Sequence, residues 1–190
     1  MFTYRCAALV LALSLGLPAA QAATVAGVTV PETAAVEAQT LTLNGAGLRK
    51  RVIFDVYVAA LYTAARTQDA DAVINDRRPR QMRLTLKRDL DAQTLIDALK
   101  EGVHNNLDEQ ERRELDSALA QFEERMREVG QAKEGDLVQL DMDAQGVQIV
   151  FNQKPLGRVS HPDLAPALLK IWLGRKPAQE SLKKALLGQS

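Results

Sequence analysis

The sequence predicts an α+β fold built on a mostly antiparallel sheet, and three observations carry that prediction. Alternating apolar and polar residues, the mark of half-buried strands, fill two blocks, 24–88 and 137–159. Apolar stripes at three-and-four spacing fill the stretches that follow each block, 91–129 and 163–187. The order is strands, two helices, three strands, two helices, so the classes are segregated and do not alternate as a parallel sheet requires. No internal repeat or low-complexity linker divides the chain, and a single domain over 23–190 is expected.

The N-terminus is read separately. Arg5 gives a positive start, Ala7 to Leu17 is an apolar run, Pro18 breaks it, and Ala20-Gln21-Ala22 offers small residues for cleavage. The run is shorter than the roughly 20 residues a membrane span needs. Residues 1–22 are expected to be a cleavable signal peptide, and the mature protein to be periplasmic or secreted. No stable membrane insertion is expected after cleavage. Cys6, the only cysteine, leaves with the signal, so disulfides and thiolate chemistry are excluded. Positive and negative side chains balance at 24 each, which argues against a nucleic-acid partner.

Taken in order, Thr24 to Val30 alternates weakly and Pro31 closes it as an edge strand. Val36 to Leu43 alternates with period two and reads as a strand. Asn44-Gly-Ala-Gly47 reads as a turn, because Asn-Gly tolerates the positive φ of tight hairpins. Arg51 to Tyr62 is then a long strand, apolar on both faces and therefore expected to be central. Asp55 within it needs a partner. Asp69 to Asp76 reads as a short helix, Arg77-Arg-Pro-Arg80 as a loop, and Gln81 to Arg88 as a strand with one wet face.

Asp91 is a suitable N-cap for a helix with Leu95, Ile96, Leu99 and Val103 on one side, ending at Asn105 and Asn106. Asp108 caps the next helix, whose stripe of Leu115, Ala118, Leu119, Phe122, Met126 and Val129 runs to Gly130. Its opposite face is densely charged, which fits local ion pairs in water or a docking face. Leu137 to Met142, Val147 to Phe151 and Pro155 to Val159 form a meander. Asp163 starts a helix that Gly174 ends, and a last helix after Pro177 carries Leu182, Leu186 and Leu187.

Much chemistry is excluded. The two histidines, His104 and His161, lack metal-ligand spacing, and no metal or other cofactor is expected. Gly45-Ala-Gly47 stands between strands, where a dinucleotide loop would need a helix. Arg77, Arg78, Arg80 and Arg83 cluster without interleaved aromatics, which fits a solvated loop. What remains is Arg49-Lys50-Arg51 near Tyr57 and Tyr62. A guanidinium grips a carboxylate in two places, so Arg49 is either an anion-binding group or part of a charged strand entry facing water.

The sequence resembles the chalcone isomerase superfamily, specifically its exported bacterial chalcone isomerase-like branch. Leu43-Asn-Gly-Ala-Gly-Leu-Arg49, Phe54-Asp-Val-Tyr-Val-Ala-Ala-Leu-Tyr62, Lys133-Glu-Gly-Asp136 and Ile171-Trp-Leu-Gly174 with Pro177 carry the resemblance. It implies an open-faced β-sandwich, a large mostly antiparallel sheet backed by a layer of helices, with a ligand cleft between. In plant chalcone isomerases the arginine matching Arg49 stabilises charge on the enone oxygen, and the position of a polarising threonine aligns with Tyr57. Their helix tyrosine has no counterpart in Lys100 to Leu107, where His104 occupies the neighbourhood. In fatty-acid-binding relatives the arginine acts with a tyrosine on a carboxylate, a role open here to Tyr57 or Tyr62.

The resemblance therefore implies a non-catalytic protein that binds a fatty acid or similar apolar or amphipathic small molecule with an anionic head. Its ligand contacts would be Arg49, Tyr57, Tyr62 and His104. The alternative is an isomerase, an intramolecular lyase acting on a chalcone-like enone, with Arg49 catalytic. A third reading is an envelope accessory protein that docks through the charged 108–129 helix; no protein partner is indicated.

Overall fold

The computed structural model describes residues 22–189. The expected signal peptide lies outside them apart from Ala22, the first residue of β1 (Ala22–Val25). Strand β1 forms a hairpin with β2 (Val28–Pro31). At the turn, Ala26 and Gly27 stand at φ 45° and 80°, the positive-φ pair that two-residue hairpins prefer. One expected edge strand is thus two short ones.

The next correction is larger. Strand β3 (Thr33–Val36) pairs with β4 (Gln39–Arg51), which pairs with β5 (Phe54–Thr63). Asn44-Gly-Ala-Gly47 is therefore the middle of a 13-residue strand and not a turn. The turn falls instead at Val52-Ile53, with Val52 at φ 57°. Valine is a poor residue for that conformation, so local preference alone would not place a turn there.

Helix α1 (Ala70–Asn75) is capped by the Asp69 carboxylate, which accepts from Asp71 and Ala72 amides. Strand β6 (Arg80–Leu86) follows, with Met82, Leu84 and Leu86 buried on one face. Arg80, expected in a solvated loop, is fully buried. Its Nη1 donates to the carbonyls of Val73 and Ile74 at 2.8 and 3.1 Å, satisfying the C-terminal end of α1. Burial lowers its pKa to about 10.

After β7 (Leu90–Asp91) come α2 (Ala92–Asn106) and α3 (Glu109–Arg127), capped by Asp91 and Asp108 as expected. Asp108 and Glu111 complete a reciprocal capping box. On its outer side α3 carries local ion pairs such as Arg113–Glu109 and Arg127–Glu123. Two-residue β8 (Gln131–Ala132) pairs with β7. Strands β9 (Leu137–Met142), β10 (Gly146–Phe151) and β11 (Lys154–Ser160) form the meander. Helices α4 (Leu164–Leu173) and α5 (Glu180–Leu186) close the described chain.

Seven strands make one sheet in the order β11-β10-β9-β6-β5-β4-β3, antiparallel at every pairing. One face packs against the helices through Ala59, Leu61, Met82, Leu84, Val138, Leu140 and Ile149. Helix α4 is apolar almost all round and sits in the middle of this layer, with Leu168, Leu169, Ile171 and Trp172 buried. The other face is covered only over β3–β5, where Val58, Ala60 and Tyr62 pack with Val30 and Leu41. Strand β5 is thus apolar on both faces because both are covered, as its composition predicts.

Candidate functional site

The site begins with a bulge. Leu43 faces Tyr62 and Gly45 faces Leu61, so Asn44 is an extra residue in β4. Because side chains alternate along a strand, one inserted residue moves everything after it to the opposite face. Leu41 and Leu43 pack on the outer cluster before the bulge, and Ala46 and Leu48 do so after it. Gly45, Gly47 and Arg49 consequently point to the helix side.

Asn44 is buried and fully engaged. Its amide donates to the Leu186 carbonyl at 2.7 Å and the Thr67 carbonyl at 3.1 Å, and its oxygen accepts from the Thr67 amide at 2.7 Å. A β-carbon on Gly45 would stand 2.1 Å from the Ala185 carbonyl, and one on Gly47 would stand 2.7 Å from the Ala185 β-carbon. The glycines of the Asn-Gly-Ala-Gly run are needed for the approach of α5 and not for a turn.

Beyond them a cleft of about 690 Å³ opens between the sheet and helices α2, α3 and α4, a volume within the range of small-molecule sites. Its body is apolar, with Leu84, Val138 and Leu140 from the sheet facing Leu95, Leu99, Phe122, Met126 and Ile171 from the helices. Gly102, also in the wall, lets α2 approach α4; a β-carbon there would lie 2.6 Å from Ile171 Cγ2.

The polar groups converge at one region. Arg49 and Tyr57 are direct partners across β4 and β5, and both line the cleft with Trp172. Trp172 Nε1 donates to the Tyr57 hydroxyl at 2.9 Å. An indole N–H can only donate, so the phenol oxygen accepts and its own proton stays available. Burial raises the Tyr57 pKa; the Trp172 hydrogen bond and the Arg49 charge pull the other way without reversing it. Tyr57 is therefore a neutral donor at ordinary pH, beside a permanent cation.

Arg49 is held from behind. Its Nη1 donates to the Lys50 carbonyl and to Gln179 Oε1 at 3.3 Å. Gln179 Oε1 also accepts from the Lys50 amide at 2.8 Å, while its Nε2 donates to the Leu48 carbonyl at 3.3 Å. The three successive cations separate: Arg49 turns into the cleft, Lys50 pairs outside with Asp55 at 2.5 Å, and Arg51 reaches the rim. Asp55 thereby has the partner its place in a strand demands, although it is half-exposed and not buried.

Two of the four expected contacts stand elsewhere. Tyr62 lies on the outer face of the sheet, its hydroxyl donating to the Pro31 carbonyl at 2.9 Å and its ring under the Arg83 guanidinium at 5.0 Å. One strand residue apart from Leu61, it cannot share a face with Tyr57 across five positions. His104 is exposed on α2 and is not among the residues lining the cleft. Trp172 and Gln179 join the site without being among the contacts the sequence predicts; its only signal for them is Trp172 within the Ile171-Trp-Leu-Gly174 motif. Gly174 itself is required where Asn106 packs, since a β-carbon would lie 2.4 Å from Asn106 Oδ1.

The rim carries Arg51, Val52, Phe54, Arg88, Asp89, Asp91 and Lys176. Lys133-Glu-Gly-Asp136 acts below it as a structural turn: Asp89 accepts from Lys133 Nζ and the Glu134 amide, and Asp136 from the Lys133 amide. Among the described residues no group of three or more His, Cys, Asp and Glu is placed to hold a metal ion. None of their helices is long and apolar enough to cross a membrane.

A family model described as chalcone isomerase-like matches residues 22–188. Among solved structures, a crystal structure of a fatty-acid-binding protein from Arabidopsis thaliana matches with a TM-score of 0.70 at 18% identity, covering 85% of this chain and 92% of that one. At that identity the match establishes a common fold. No curated protein sequence matches the chain.

Proposed function

Because the chain belongs to the chalcone isomerase-like family, we propose that it binds a fatty acid or similar amphipathic acid without transforming it. One observation carries this reading: Arg49 and the free proton of Tyr57 stand side by side at an otherwise apolar cleft of about 690 Å³. A carboxylate has two oxygens, and a guanidinium with an adjacent neutral hydroxyl offers each a donor. The alkyl body would replace water along Leu95, Leu99, Phe122 and Met126, at about 0.8 kcal/mol per buried methylene. The fold shared with a plant fatty-acid-binding protein supports the same reading. We further propose that residues 1–22 direct export and that the protein acts outside the cytoplasm; N-terminal sequencing of protein from fractionated cells, showing residues 1–22 still attached, would refute this.

Native mass spectrometry of protein purified without detergent should reveal a bound acid, and dodecanoate should bind with an affinity that Arg49→Ala lowers roughly ten- to hundred-fold. An empty protein, together with unchanged affinity in Arg49→Ala, would refute the proposal. Enone cyclisation is the second reading, favoured by the same two donors, which would also receive an enone oxygen. It requires that a 2′-hydroxychalcone cyclise faster than in buffer and that Arg49→Ala abolish the gain.

A further inference from the structure

The β4–β5 turn exposes three consecutive large apolar side chains: Val52 is 90% exposed, Ile53 79% and Phe54 53%. These are the only large hydrophobic side chains so exposed among the described residues. Such a cluster at a tip is not the scattered apolar exposure that every surface carries. It is also held there against local preference, because Val52 occupies the left-handed region at φ 57°, which disfavours a β-branched residue.

Charge surrounds the tip asymmetrically. Arg51 precedes it and Arg88 lies over the Phe54 ring at 4.7 Å. Neither has an ion-pair partner among the described residues, whereas Asp55 is paired with Lys50, Asp89 with Lys133, and Asp91 accepts from the Thr94 amide as the cap of α2. The tip also belongs to the cleft: Val52, Phe54, Arg51 and Arg88 all line its rim. Apolar side chains that project beyond a collar of free arginines match an anionic bilayer surface, where the first enter the acyl boundary and the second remain at the headgroups.

We propose that the 51–54 tip docks on anionic lipid bilayers and sets the cleft mouth against the membrane. Docking itself stands on the tip alone. Its use, passage of an amphipathic acid between bilayer and cleft, rests on the function proposed above. A single tip supplies few contacts, so binding should be weak, reversible and salt-sensitive.

The test is co-sedimentation with phosphatidylcholine vesicles prepared with and without phosphatidylglycerol. Wild type should bind only the anionic vesicles and release as salt rises, and Ile53→Asp should weaken binding by about ten-fold or more. Val52→Asn should weaken it too while relieving the left-handed strain, so loss of binding cannot be ascribed to misfolding. No binding to anionic vesicles, equal binding to both vesicle types, or unchanged binding in Ile53→Asp would each overturn the proposal. So would a tip that instead holds two copies together, seen as a wild-type dimer that Ile53→Asp dissolves without any vesicle binding. Dodecanoate titrated in the absence of vesicles separates the two readings, since Ile53 does not line the cleft and its exchange should leave that affinity unchanged. Vesicle binding without dodecanoate binding in wild type would sink the ligand reading and leave docking standing.

Discussion

Trp172 and Tyr57, 115 positions apart, are joined by a hydrogen bond of 2.9 Å from the indole nitrogen to the phenol oxygen. The bond occupies an acceptor position on the phenol oxygen and leaves the Tyr57 proton free to be donated to another group. Trp172→Phe removes that donor while keeping an aromatic ring. Dodecanoate affinity should fall about five- to ten-fold, and stability by about 1 kcal/mol, the usual scale of one lost hydrogen bond. Calorimetric titration and urea unfolding of the same variant measure both.

Ionisation of Tyr57 and Tyr62 should come late. Burial is the leading cause of a raised pKa for Tyr57 and for Tyr62. The folded form prefers the neutral phenol, so its stability is complete below about pH 10, the unfolded value, and declines as pH rises through the folded pKa. Absorbance titration of tyrosinate should show both groups ionising above the ordinary range of a free tyrosine. Dodecanoate binding should weaken in the same window, because a Tyr57 anion would repel a carboxylate. Ordinary titration near pH 10 for both tyrosines would contradict this.

Gly45 and Gly47 should respond differently to alanine. At Gly45 the new methyl meets the Ala185 and Leu186 carbonyls at 2.1 and 2.7 Å, and backbone cannot step aside cheaply. At Gly47 it meets side-chain carbons of Ala185 and Leu182. Gly45→Ala should cost at least about 3 kcal/mol, and Gly47→Ala about 1–2 kcal/mol. Urea denaturation ranks them.

Arg80→Ala should destabilise by about 3 kcal/mol, since it opens a cavity and leaves the Val73 and Ile74 carbonyls unpaired. Arg80 is not among the residues lining the cleft, which predicts unchanged dodecanoate affinity and distinguishes a packing role from a ligand role. A change in affinity comparable with that of Arg49→Ala would contradict it.

Much of the fold was legible where local chemistry and tertiary context agree. Asp69, Asp91 and Asp108 accept the helix-start amides that a free carboxylate is shaped to accept, and Gly130 ends its helix at φ 64°. The meander alternates because one face is dry. Local signals mislead where a distant element overrides them. Asn44-Gly45 has turn chemistry, but Asn44 commits its hydrogen bonds to Thr67 and to Leu186 of α5, 142 residues later. Val52-Ile53 has strand composition because β preference reflects packing, and at an exposed tip there is nothing to pack against. Arg80 reads as surface charge until the C-terminal carbonyls of α1 are seen above it.

The same physics divides the site residues. Arg49 and Tyr57 are accessible from the family resemblance, whereas the hairpin that pairs them turns at Val52-Ile53, where the sequence shows no turn signal. The exclusion of Tyr62 follows from alternation along β5, five positions from Tyr57; what alternation does not reveal is the one-residue bulge in β4 that brings Arg49 to the face of Tyr57.

The last helix deserves a different description from that of a terminal appendage. Lying outside the cleft, α5 nonetheless grips β4 at three successive heights: Leu186 at Asn44, Ala185 at Gly45 and Gly47, and Gln179 at Leu48 and Lys50. It works as a splint along the strand that carries Arg49. Damage to the splint would therefore be transmitted to the aim of the arginine, so fraying or trimming near residue 186 should register as lost ligand selectivity before it registers as unfolding.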